Sequence, residues 1–234
     1  MTDKLESLLR KIRALRAKAE GTNNVHEAAA FAAKAAQMLA EHGLEEAQLR
    51  SPEADPTEGV TMEKASKSWS ASPARRQMLL TLCQVHGVRV LWFAGKSGPW
   101  MLIGRKSTIA VTLEMADYLL KATARLASEW QRAHDAPNKL MVDFKRGCFV
   151  TLQSRLFDLE REQHAQPEQR AADGTPRNLP AVVADDRSAV EAFLAKHFGE
   201  VKAARRDRVV LRSHAADAGR EAGRRISLRK QIGG

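Results

Sequence analysis

Two short apolar runs, Val88-Arg89-Val90-Leu91-Trp92-Phe93 and Trp100-Met101-Leu102-Ile103, flank a glycine-containing loop beginning Ala94-Gly95-Lys96-Ser97-Gly98. β-Branched and aromatic residues on both sides of a short loop predict a β-hairpin. Most of the remaining apolar residues recur at helical spacing. The fold class that follows is mainly α with a small β-hairpin (α+β): an N-terminal helical hairpin, then a larger helix-rich domain.

The hairpin loop also poses a chemical question, because Gly95-Lys96-Ser97 ends like a phosphate-binding loop. Such a loop needs a glycine five positions earlier and a helix immediately after, so that helix amides face the phosphates. Val90 stands where that glycine belongs, and Gly98-Pro99-Trp100 leads into another apolar run. A hairpin turn is therefore expected there. Ile103-Gly104-Arg105-Lys106-Ser107 is the better anion candidate, since a strand ends and a helix begins at that point. Gly104 would allow close backbone approach or make a turn, Ser107 would cap the helix, and Arg105 and Lys106 would stand beside free helix amides.

Leu5, Leu8, Leu9, Ile12 and Leu15 mark a first helix stopped by Gly21. Asn24-Val25-His26-Glu27 is a capping-box pattern opening an Ala-rich second helix that stops at Gly43. Residues 1–50 are thus expected to form a helical hairpin. Pro52, Pro56 and interspersed acidic and small residues predict a linker over 51–70. The second domain, 71–234, is expected to hold helices over Gln77–Val85, from Ser107 to before Pro137, from near Asp143 past Leu159, and from about Arg187 to Ala204. Pro167, Gly174, Pro176 and Pro180 predict a mobile loop near 165–186.

The formal charge is +10, and it is uneven: Gly199–Gly234 holds ten basic and four acidic residues, more than half of the excess. A concentrated positive field attracts polyanions through phosphate neutralisation and counterion release. No apolar run reaches the roughly 20 residues that cross a bilayer, and the N-terminus lacks a signal-peptide apolar region, so a cytoplasmic location without membrane association is expected. Cys83 and Cys148 lie in apolar or β-branched surroundings, which favours reduced core thiols. Cys83-Gln84-Val85-His86 has the spacing of half a zinc site, but no second ligand pair follows and no metal or cofactor is expected. The seven histidines are scattered, and no nucleophile elbow or paired-carboxylate signature occurs. An enzyme would need groups such as His86, Glu114 and Asp117 to meet in a pocket.

The stretch Lys11-Ile12-Arg13-Ala14-Leu15-Arg16-Ala17-Lys18-Ala19-Glu20-Gly21-Thr22-Asn23-Asn24-Val25-His26-Glu27-Ala28-Ala29-Ala30, ending in Met38-Leu39-Ala40-Glu41-His42-Gly43-Leu44, resembles the helical hairpin of domain of unknown function 2786, common in bacteria, phages and prophages. Ile103–Ser107, Phe144-Lys145-Arg146-Gly147 and Gly219–Ile226 are similar to the uncharacterised domain that usually follows it. Arg16-Ala17-Lys18 departs from relatives that are more apolar there. The resemblance carries over no catalytic residue and implies a phage or mobile-element setting. The expected function is a non-enzymatic accessory protein that binds nucleic acid, DNA foremost and without sequence readout. Its phosphate contacts are expected from Arg105, Lys106, Lys145, Arg146, Arg220, Arg224 and Arg225. The alternative is a protein-interaction module docking on a host or phage protein. On a helix, Gly219 and Gly223 would form a small-residue groove for a neighbouring helix, with Arg220 and Arg224 in an adjacent row.

Overall fold

The computed structural model describes residues 59–66, 73–92, 100–199, 213–226 and 228, with Thr57 and isolated positions between 7 and 38. Of the expected N-terminal hairpin, Ser7, Leu8, Arg10, Lys11, Ala14, Leu15, Lys18 and Met38 are helical, and the rest lies outside the described residues. The elements run β1 (Val60–Lys64), α1 (Pro73–Val85), β2 (Arg89–Trp92), β3 (Trp100–Arg105), α2 (Lys106–Ala133), α3 (Asn138–His164), α4 (Leu179–Phe198) and α5 (His214–Arg225). The chain is mainly α with a small antiparallel sheet, as its periodicity indicated.

The expected hairpin is present: β2 and β3 pair antiparallel, with Trp92 opposite Trp100 and Leu91 opposite Met101. A third strand completes the sheet in the order β1-β3-β2, with Val60 opposite Arg105 and Lys64 opposite Met101. This strand falls inside the stretch read as a linker. Val60-Thr61-Met62-Glu63-Lys64 is an edge strand, and β3 supplies the partner that its own short alternation does not announce.

Side-chain alternation sends the two faces of the sheet into different cores. On one face Leu102 joins Val88 and Ala65 in packing with Met78, Leu79 and Leu82 of α1, Ile109 and Leu119 of α2, and Cys148, Leu152 and Leu156 of α3. On the other, Leu91 and Ile103 pack against Val190 and Leu194 of α4. The sheet is therefore a middle layer, and each fully buried Leu or Ile contributes about 1.5–3 kcal/mol of transfer free energy. Both cysteines are free and buried in the first core. Burial pushes the Cys83 thiol well above its ordinary range and raises Cys148 to about 11.

Local signals fix the element ends. Gly87 adopts φ 72°, and after α1 Val88 N–H donates to Cys83 O (2.8 Å) and Gly87 N–H to Gln84 O (3.2 Å). These two bonds are the Schellman closure, which turns the chain directly into β2. Asn178 caps α4 by accepting from Ala181 N–H at 3.3 Å, so that helix begins at Leu179, well before Arg187. The proline-rich stretch ahead of it folds back on itself, with Ala171 N–H donating to Thr175 O (2.8 Å) and Arg177 N–H to Gln169 O (2.7 Å). Among the described residues, no helix is long and apolar enough to cross a membrane.

Candidate nucleic-acid interface

A close helix contact begins with glycine. Helices α3 and α5 lie side by side in parallel, and a Cβ placed on Gly219 would sit 2.0 Å from Phe144 O. The same atom on Gly147 would sit 2.0 Å from Ala216 O, and on Gly223 it would sit 2.9 Å from Cys148 O. The backbones touch, so Gly219 and Gly223 form the groove read from their spacing. The sequence reading missed the packing role of Gly147. A mid-helix glycine costs roughly 0.5–1 kcal/mol relative to alanine, and its presence in α3 is itself a sign of close approach.

Polar contacts lock the two ends of this crossing. Ser213 caps α5 by accepting from Ala216 N–H (3.3 Å), and its hydroxyl donates to Asp143 Oδ2 (3.2 Å). At the far end Arg155 donates to Gly223 O (2.7 Å) and Ile226 O (2.6 Å). A guanidinium on the last carbonyls of a helix satisfies orphan acceptors and opposes the negative end of the helix dipole. No local sequence pattern marks Arg155 for this role, because its partners lie in a distant segment.

The crossing carries cations at its surface. Arg146 is exposed and lies 3.4 Å from Asp143; Arg220 pairs with Asp217; Arg224 and Arg225 share Glu221, at 2.7 and 4.0 Å. Lys145 is half-buried. The pairs of Arg224 and Arg225 with Glu221 are solvent-facing and weak, about 0–1 kcal/mol each, so a phosphate can replace that carboxylate.

The strand-to-helix junction is organised differently. Gly104 lies within β3 opposite Thr61, and its missing side chain admits Val88, whose Cγ2 would be 3.2 Å from an added Cβ. Helix α2 begins at Lys106, with Arg105 at the cap position and Ser107 buried inside the first turn, so Ser107 is not the cap. The anion at this helix start is the protein's own. Asp186 of α4 accepts from Arg105 Nε (3.2 Å) and from Thr108 Oγ1 (3.2 Å). Both members of the ion pair have side chains only 7% exposed. Burial with a carboxylate gives Arg105 a role in fastening α4 to the sheet and the start of α2, not the phosphate contact expected from sequence. Lys106 beside it is exposed.

The same end of α2 continues inward. Thr112 Oγ1 donates to Thr108 O (2.7 Å), so it accepts from His86 Nδ1–H at 2.9 Å. Desolvation lowers the His86 pKa to about 4 and keeps its ring neutral. The expected residues thus divide into two places. Arg105 and Lys106 stand at the start of α2, whereas Lys145, Arg146, Arg220, Arg224 and Arg225 belong to the α3–α5 pair. Trp130, near the other end of α2, stacks on Phe144 with centroids 5.3 Å apart. At 1.5 Å per residue, Lys106 and Trp130 are about 36 Å apart along the helix. Among the described residues, no group of three or more His, Cys, Asp or Glu side chains could hold a metal ion.

A small α+β domain with a glycine-packed, arginine-bearing helix pair is what these residues define. Residues 7–46 match the family described as "Protein of unknown function (DUF2786)", which supports the resemblance drawn from Lys11–Leu44. No curated protein and no solved structure matches the chain.

Proposed function

We propose that the protein is a phage- or prophage-type accessory protein that binds nucleic acid, DNA foremost, through its phosphates and without catalysis, in the cytoplasm. The observation that carries this reading is the α3–α5 pair, a rigid backbone presenting Lys145, Arg146, Arg220, Arg224 and Arg225. The sequence leading into α5 adds Lys202, Arg205, Arg206, Arg208 and Arg212 against Glu200 and Asp207. Positive charge on a fixed scaffold suits a polyanion of regular spacing, and solvent-facing pairs such as Arg224–Glu221 exchange partners at little cost. The alternative, a protein-interaction module docking through the expected N-terminal hairpin, rests on residues that lie mostly outside the described ones. Among the described residues, the exposed large apolar side chains are Met62, Trp92, Val142 and Val150. The first two point to opposite faces of the sheet, and the others lie on α3.

Filter binding of duplex DNA across a salt series tests the reading. The expected result is binding at low salt that weakens linearly in log–log form, by about 0.9 in slope for each phosphate contact. Absence of binding at low salt, or binding without a salt slope, overturns it.

A further inference from the structure

Where α2 ends and α3 and α5 begin, four aromatic rings gather. Trp130 stacks on His134 with centroids 5.0 Å apart and planes 26° apart, and on Phe144 at 5.3 Å and 28°. His214 leans on the same indole at 6.2 Å. Trp130 and Phe144 belong to the small core formed with Ala127 and Ala215, but both histidines are exposed. A ring needed only to close the end of a helix bundle would be covered. These rings are instead held in place at the surface: His134 Nδ1–H donates to Trp130 O at 2.9 Å, and His214 follows the capping Ser213 on a helix clamped by glycine contacts. Their orientation is set before any ligand arrives, which removes an ordering cost.

The charges around the stack complement a nucleic-acid strand. Asp143 is engaged by Ser213 and Arg146, and Asp217 by Arg220, which leaves Asp135 as the acid beside His134. Arg132 and Lys139, on either side of the α2–α3 turn, are exposed and make no ion pair among the described residues. Aromatics are 5% of the chain, too few for an extended platform, but one stack is enough for one base.

We propose that His134 and His214, mounted on Trp130, form a stacking subsite for an unpaired nucleobase, with Arg132 and Lys139 reaching the flanking phosphates. This assignment rests on the phosphate-binding reading above and adds to it a preference for strands with accessible bases.

The test compares an oligothymidylate strand with an abasic deoxyribose-phosphate strand of equal length, at one salt concentration and then across a series. The parent protein is expected to bind the thymidylate strand about tenfold more tightly, the scale of one base–aromatic stack. A His134→Ala/His214→Ala variant, altered only at exposed rings and checked by its melting curve, is expected to lose that difference while keeping its affinity for the abasic strand. Equal binding of both strands by the parent overturns the stacking subsite and leaves phosphate binding standing. No binding of either strand also overturns the subsite, while the duplex titration decides the phosphate-binding reading separately. A double variant that keeps the preference places the stacking elsewhere and overturns the assignment.

Discussion

Arg105 and Arg220 are each paired with an aspartate, yet the two ends of the molecule use that pairing in opposite ways. The Arg105–Asp186 pair is sealed between β3, α2 and α4, whereas Asp217, the partner of Arg220, has a side chain 71% exposed. A buried guanidinium cannot trade its carboxylate for a ligand without leaving a charge unsolvated. A surface one trades freely, because water screens both states. The difference teaches that a basic residue at a strand–helix junction is not by itself an anion site. Its fate depends on whether the fold brings an internal carboxylate to the same place.

The sharpest way to break this comparison is to remove that carboxylate. Asp186→Ala strands Arg105 in the interior, and urea unfolding is expected to show a loss of about 3–5 kcal/mol. A loss within the range of surface substitutions would mean that the pair does not seal the junction. Gly219→Ala comes next. Its new Cβ meets the Phe144 carbonyl, which belongs to backbone and cannot rotate aside, so a loss of about 3 kcal/mol is expected in the same measurement.

A pH series sharpens the sealed side further. The folded pKa of His86, about 4, lies below its unfolded value near 6.5, so the unfolded chain takes up the proton first as pH falls. Stability should therefore decline between pH 6.5 and 4, by at most about 1.4 kcal/mol per pH unit, and His86→Gln should remove that component of the slope. The partial exposure of His86 keeps the effect below that bound. The smallest stability effect belongs to the open side. Replacing Arg220, Arg224 and Arg225 with Gln should shift unfolding by no more than about 0.5 kcal/mol while lowering the salt slope of DNA binding by up to about 3. If that variant binds DNA like the parent across the series, this face is not the interface.

The sequence made the hairpin legible because both of its strands are apolar and close together, and the second domain's helices were legible in outline from their 3.6-residue period. Gly219 and Gly223 could be read because four-residue spacing states its geometry within one helix. What stayed hidden depends on partners far along the chain. β1 is a strand because β3 is beside it, and Asp186 reaches the start of α2 only once α4 covers the sheet. Arg155 likewise caps a helix some seventy residues away. The Asn178 cap moved the start of α4 into the residues that the prolines had claimed for a loop. At the candidate interface the cations were visible as residue types, but their sorting into buried and exposed was not, because burial belongs to the assembled fold.

The parallel alignment of α3 and α5 also bears on the order in which the protein can assemble. Between them the chain contributes α4 to the opposite face of the sheet, so returning to α3 closes a long loop around the sheet. Contacts of such sequence separation form slowly, because loop closure must precede the gain from packing. The Schellman turn, the hairpin and the α2–α3 pair are local and can form first. The glycine crossing can close only after α5 has emerged. Helix α5 is thus a latch. Opening it would part the glycine seam and loosen the arginine-bearing face together, as one cooperative unit in native-state exchange.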